Sequence, residues 1–147
     1  MTSTTITADV EAACRRLVVA FAHHLDHRRF HEVAALFTAD GVWHRRGVSM
    51  RGRDQILAFL ERREKTVVEL HVMATTLVEQ LTRTSCAATS YATIYRTHRV
   101  GDDVPAITGP SAIGEFHDRF ELTDDGWRFT YRASEPVFVI DGASHSG

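Results

Sequence analysis

The feature that most constrains this chain is a change of hydrophobic rhythm near Val67: apolar residues recur at helical spacing before it and fall in β-branched and aromatic runs after it. Val10, Cys14, Leu17, Val18, Phe21 and Leu25 make one helical stripe, and Thr7, Asp9 and Glu11 supply a cap and acids for its first turn. A shorter stripe of Phe30, Val33, Ala34 and Phe37 predicts a second helix closing at Thr38-Ala39-Asp40-Gly41, where Gly41 can take the positive φ of a helix end. After Val42-Trp43 and a connection from Gly47 to Gly52, Asp54 is placed to cap a third helix carrying Ile56, Leu57 and Leu60. Strands are predicted at about Glu69 to Leu81, Ser85 to Val100, Ser111 to Leu122 and Trp127 to Ile140. Turns fall at Thr82-Arg83-Thr84 and Asp124-Asp125-Gly126, with a looser loop from Gly101 to Pro110. Helices followed by hairpin-linked strands define an α+β domain. Strands this long must twist and curl, so the expectation is a cone-shaped, curved, mostly antiparallel sheet with three N-terminal helices on one face.

At 147 residues and 44% hydrophobic content, the chain suits one domain, expected over residues 7–141 with loose termini at 1–6 and 142–147. Seventeen Lys+Arg, of which only Lys65 is lysine, stand against nineteen Asp+Glu and are scattered among them. Nucleic acid and anionic membrane are therefore not expected partners. Cys14 and Cys86 lie far apart in apolar surroundings and read as small buried hydrophobes. The Thr-rich start lacks the regions of a secretion signal, and no apolar run reaches the roughly 20 residues of a membrane span, so a cytoplasmic location is expected. Gly-x-Ser-x-Gly, phosphate-cradling and dinucleotide motifs are absent, which removes covalent and nucleotide chemistry. His23, His27 and His31 have i, i+4 spacing that can chelate zinc, but no nearby Glu completes such a motif. Neither metal nor cofactor is expected.

Four segments carry a more specific message: His24-Leu25-Asp26-His27-Arg28-Arg29-Phe30, Leu36-Phe37-Thr38-Ala39-Asp40-Gly41-Val42-Trp43, Glu69-Leu70-His71 and Asp124-Asp125-Gly126-Trp127-Arg128-Phe129. Together they resemble the SnoaL-like group of the nuclear transport factor 2-like superfamily, from about Val10 to Val139. The resemblance implies an apolar pocket enclosed by the sheet and helices. It also implies one of several activities, since the superfamily holds dehydratases, a dehydrochlorinase, isomerases, cyclases and non-catalytic binders. Scytalone dehydratase and lindane dehydrochlorinase place an Asp at the end of the first helix and a His at the start of a later strand, and Asp26 and His71 match those places. Trp43 matches a pocket Trp of the dehydrochlorinase, and Arg132 an Arg just past its Gly-Trp motif. Phe21 stands where some relatives have Tyr or Lys. Arg45 stands about where scytalone dehydratase has a catalytic Tyr and ketosteroid isomerases a general-base Asp, so the latter chemistry is not expected.

The residues give this implication physical sense. A carboxylate bonded to one ring nitrogen fixes the tautomer and makes the other a better proton acceptor, so Asp26 can orient His71 as a base. The competing readings are Asp26 as a cap of the second helix or a partner of Arg28 or Arg29, and His71 as a hydrogen-bonded core residue alternating with Met73 and Thr75. Arg132 can balance an anion. Strict alternation, however, sets Arg128, Thr130 and Arg132 opposite Trp127, Phe129 and Tyr131, so without a bulge only one set faces inward. Asp118, between Phe116 and Phe120, belongs to an apolar face, whereas His117 goes outward with Arg119. Arg45 shares a side with Trp43 and can meet either an acidic substrate group or a surface acid.

The resulting expectation is cofactor-independent acid–base catalysis on a small hydrophobic cyclic or aromatic molecule. His71 is the base, Asp26 its orienter and Arg132 or Arg45 an anion stabiliser; Phe21, Phe37, Trp43, Met73 and Phe116 form walls, with Asp118 a further pocket candidate. Dehydration leads, cyclisation and isomerisation need the same groups, and a non-catalytic binding or assembly domain is the alternative. Tyr91, Tyr95 and Ala87 on the outer face suggest a homodimer or homotrimer.

Overall fold

The computed structural model describes residues 5–140, so the tail expected from Gly142 to Gly147 lies outside the described residues. Nine elements follow in order: α1 (Ala8–Asp26), α2 (Phe30–Ala35), β1 (Phe37–Arg45), β2 (Val48–Arg51), α3 (Gly52–Glu61), β3 (Val67–Thr82), β4 (Ser85–His98), β5 (Ala112–Thr123) and β6 (Gly126–Val139). The strands form one curled, unclosed sheet in the order β2-β1-β6-β5-β4-β3. All neighbours are antiparallel except β1 and β6, which run parallel. Among the described residues no helix is long and apolar enough to cross a membrane.

Helix α1 begins where the Thr7 hydroxyl accepts the Val10 N–H at 3.3 Å, as its sequence predicts. It buries Cys14, Leu17, Val18, Phe21, Ala22 and Leu25 against the sheet. At its far end Arg28 takes a left-handed φ of 57° and donates to the Arg63 and Glu64 carbonyls, which ties the α1–α2 corner to the segment leading into β3.

Two boundaries differ from the sequence expectation. Helix α2 stops at Ala35, and Phe37 to Gly41 join β1 instead of closing a helix. The reason is a strand partner: Leu36 accepts the Phe129 N–H at 2.8 Å, and Phe37 pairs with Phe129. Gly41 is not left-handed; it is where two backbones come close, since a Cβ there would stand 2.9 Å from the Phe129 carbonyl oxygen and 3.1 Å from Phe37 Cβ. Gly41→Ala is therefore expected to cost about 1–3 kcal/mol through overpacking. Thermal unfolding checks this, and an unchanged melting temperature would mean that β1 can part from β6 freely. The second difference is at α3, where Asp54 lies in the first turn without capping it, and Gln55 Oε1 instead accepts the Arg51 N–H at 2.9 Å.

The turn between β1 and β2 places Arg46 and Gly47 at φ 48° and 78°, the paired left-handed geometry of a tight hairpin. A register shift between Arg119/Tyr131 and Phe120/Phe129 leaves Thr130 as an extra residue on β6. Phe129 and Arg132 consequently both point inward, although strict alternation would separate them. Phe37, Phe129 and Phe120 stack in series at centroid distances of 5.2 and 4.9 Å under α1, forming the floor of the concave face.

Candidate active site

The last residue of α1 meets the start of β3. Asp26 Oδ1 lies 2.6 Å from His71 Nδ1, and Asp26 Oδ2 accepts the His71 main-chain N–H at 2.8 Å. Both side chains are almost fully enclosed. An ionised carboxylate only accepts, so Nδ1 carries the proton and Nε2 presents its lone pair. Asp26 does not cap α2, whose N-cap is Arg29 without a side-chain bond, and it does not pair with Arg28 or Arg29.

Beyond Nε2 stands Glu69, two residues back on the same strand face, with Oε1 3.9 Å from the ring. Arg63 reaches that oxygen at 2.9 Å, and Arg96 approaches Oε2 at 3.6 Å. Burial pulls the Glu69 carboxyl upward, but its positive neighbours, His71 when protonated and the Arg63 and Arg96 guanidiniums, outweigh it and hold it below the usual glutamate range. One ligand atom from each of Asp26, Glu69 and His71 lies within 4.8 Å of the others. A divalent cation at that spot would have to displace the Arg63 guanidinium from Glu69 and the His71 amide from Asp26. The donors are already spent on a hydrogen-bonded ion network.

His71 opens into a pocket whose apolar walls include Phe21, Leu25, Trp43, Ile94 and Phe116 and whose polar members include Arg45, Arg46, Arg63, Glu69 and Arg96. Trp43 is fixed by donating Nε1–H to Ser134 Oγ at 3.0 Å and by edge contacts with Phe21 and Phe59. The enclosed volume is about 80 Å³. An apolar cavity that holds benzene is roughly 150 Å³, so the pocket encloses less than a whole ring, and its lining is exposed at Arg46, Glu135, Pro136 and Val139.

Of the residues singled out from sequence, Phe21, Trp43, Arg45, His71 and Phe116 line this pocket, and Asp26 stands behind His71. Phe37 and Met73 do not: Phe37 is wholly inside the core, and Met73 packs partly buried against it. Asp118 and Arg132 do not line it either. The Thr130 bulge turns Arg132 inward but below the pocket, where its guanidinium lies 4.2 Å from the Phe21 centroid and 4.3 Å from that of Phe116. Arg132 Nε is 3.3 Å from Asp118 Oδ1, and both side chains are excluded from water. Burial pushes the Asp118 carboxyl up to about 6 in spite of the arginine, and burial likewise lowers the Arg132 guanidinium. Arg132 thus packs against the Phe21 and Phe116 rings, which line the pocket, and is not itself part of the lining. The sequence reading missed Glu69 and Arg63; it left open which of Arg96 and His98 reaches the pocket, and Arg96 is the one in the lining. The available signal was the i, i+2 relation of Glu69 to His71, which places both on one strand face.

Residues 7–133 match the SnoaL-like domain family. The chain belongs to that family. No curated protein gives a significant match to this SnoaL-like domain. Among solved structures it is similar to a Novosphingobium aromaticivorans protein provisionally named a scytalone dehydratase, at 21% identity and a TM-score of 0.75 over 92% of this chain and 89% of that one. It is also similar to ActVI-ORFA from Streptomyces coelicolor, at 23% identity and a TM-score of 0.73 over 88% and 98% of the two chains. An NTF2-like protein with a cystatin-like fold, again from Novosphingobium aromaticivorans, superposes with a TM-score of 0.71 at 18% identity over 91% and 84%. At these identities the likeness is one of fold.

Proposed function

We propose that this SnoaL-like domain is an acid–base enzyme of the lyase type that removes water from a small, cyclic or aromatic hydroxy-carbonyl compound with its own side chains. The observation that carries the reading is the 2.6 Å contact between Asp26 and His71 Nδ1, which leaves Nε2 as the acceptor facing an apolar pocket. In the proposed step Nε2 takes a proton from the carbon next to the carbonyl, and the electron pair of the broken C–H bond moves into the carbonyl as an enolate. That pair then returns to form the C=C bond as the C–O bond of the neighbouring hydroxyl breaks, and the imidazolium gives its proton to the departing oxygen. Water leaves, and His71 returns to its neutral form. Asp26 stabilises the transient imidazolium through its bond to Nδ1, and Glu69, 3.9 Å from Nε2, adds a second negative charge. Cyclisation and isomerisation begin with the same proton abstraction.

The test is a panel of cyclic β-hydroxy ketones incubated with the protein in D2O. Exchange of the α C–H, followed by NMR, reports proton abstraction, and loss of the mass of water reports elimination. Both are expected for at least one member. A panel that binds without exchange or elimination would overturn the enzyme reading and leave a ligand-binding domain.

A further inference from the structure

The charges around the pocket are not balanced. Four lining arginines, Arg45, Arg46, Arg63 and Arg96, face two lining glutamates, Glu69 and Glu135. Arg63 and Arg96 both engage Glu69, and Glu135 leans toward His44 at 4.0 Å. Arg45 is different. It is half-buried on β1 beside Trp43, and among the described residues no carboxylate lies within 4.0 Å of its guanidinium. Burial, with Arg46 adding repulsion, lowers its pKa to about 10, which still leaves it charged at neutral pH. A half-buried cation with no carboxylate in contact leaves its donors to water, and a carboxylate on the guest can take them where a wholly neutral guest cannot pair the charge. A planar guanidinium matches a carboxylate through two parallel hydrogen bonds. Arg45 lines the same cavity as His71, so one guest can reach both.

We infer that the substrate of this pocket carries a carboxylate that docks on Arg45 while its reacting C–H lies at His71 Nε2, an inference that rests on the acid–base reading above. Arg45 thereby sets substrate class: cyclic or aromatic hydroxy-carbonyl acids in preference to their neutral counterparts. It also holds the guest by an end remote from the reacting carbon, which fixes its orientation against the base.

The experiment compares benzoate with benzamide, a pair of nearly equal shape, by NMR titration of the whole protein at physiological salt. Wild type is expected to bind benzoate about tenfold or more tighter than benzamide, the usual scale for a charge-assisted pair. Arg45→Gln is expected to bring benzoate down to the benzamide level without weakening benzamide, and Arg45→Lys to retain part of the preference. Equal affinities in wild type, no detectable benzoate binding, or a preference that survives Arg45→Gln would each overturn the inference. His71→Gln is expected to keep the preference for benzoate. That separates the two readings, because a failed base abolishes exchange in D2O and leaves this titration unchanged.

Discussion

Changing His71 to Gln or Ala should abolish turnover of any substrate the pocket accepts while the protein stays folded. General acid–base catalysis contributes about 10²–10⁴-fold, and among the described residues His71 is the pocket-lining histidine with a carboxylate fixed behind it. Asp26→Asn should come close to the same loss by a different route. The amide keeps the size, but its NH2 group facing Nδ1 favours the tautomer that carries hydrogen on Nε2, which removes the acceptor from the pocket. The charge that stabilises imidazolium is lost as well, so the rate should fall about a hundredfold or more. The two variants combined should be strongly non-additive, since each already disables the same unit. Asp26→Asn also weakens the bond to the His71 amide, so a stability loss of about 1–3 kcal/mol is expected alongside. Rates and melting curves measured on the same samples decide it: stability losses with unchanged rate would remove the dyad from the mechanism.

The buried pair below the pocket should give the largest stability effect. Arg132→Met strips Asp118 of the one cation at 3.3 Å and leaves a carboxylate with no water around it, a change expected to cost about 3–5 kcal/mol. For a domain of this size that is a fall of roughly 10–15 °C in melting temperature. Asp118→Leu with Arg132→Met together should recover most of it, because a hydrophobic pair requires no desolvation of charge. The pH dependence follows from the direction of the Asp118 shift. Its folded carboxyl is raised from 3.8 to about 6, so the folded state binds the proton more tightly and the charge penalty is present above pH 6 and fades as pH falls toward 4. Losing Arg132 raises that carboxyl further, so the deficit of Arg132→Met should shrink on acidification. Urea titrations at pH 7 and pH 5 measure it. A deficit that is small at pH 7, or a double variant as unstable as the single losses combined, would contradict this account.

The broad fold was legible because it rests on two periodicities that survive any tertiary context: the α1 stripe from Val10 to Leu25 and the long alternating strands after Val67. The pair was legible through the family resemblance, which implies an Asp at the end of the first helix and a His at the start of a later strand; Asp26 and His71 stand at those places and meet. What failed was local. Phe30 to Phe37 carries a helical stripe, yet Phe37 is claimed by the parallel partner β6, a long-range pairing that no local pattern encodes. Arg132 was ambiguous because its side is decided by one extra residue, Thr130, and a bulge leaves no mark in composition. Glu69 was passed over because an acid near a strand start is ordinary, and its meaning comes from Arg63 and Arg96 arriving from other elements.

The bond from Trp43 to Ser134 gives the molecule a built-in optical reporter. Indole emission responds to the polarity and motion of its surroundings, and this indole is pinned at the pocket wall, almost fully excluded from solvent, within 5.3 Å of the Phe21 ring. The other tryptophan, Trp127, stands at the β5–β6 turn, outside the pocket lining. With Trp127 exchanged for phenylalanine, a single indole would remain, and its emission, excited beyond the tyrosine absorption, would follow occupancy of the pocket directly, with no label and before any substrate is known.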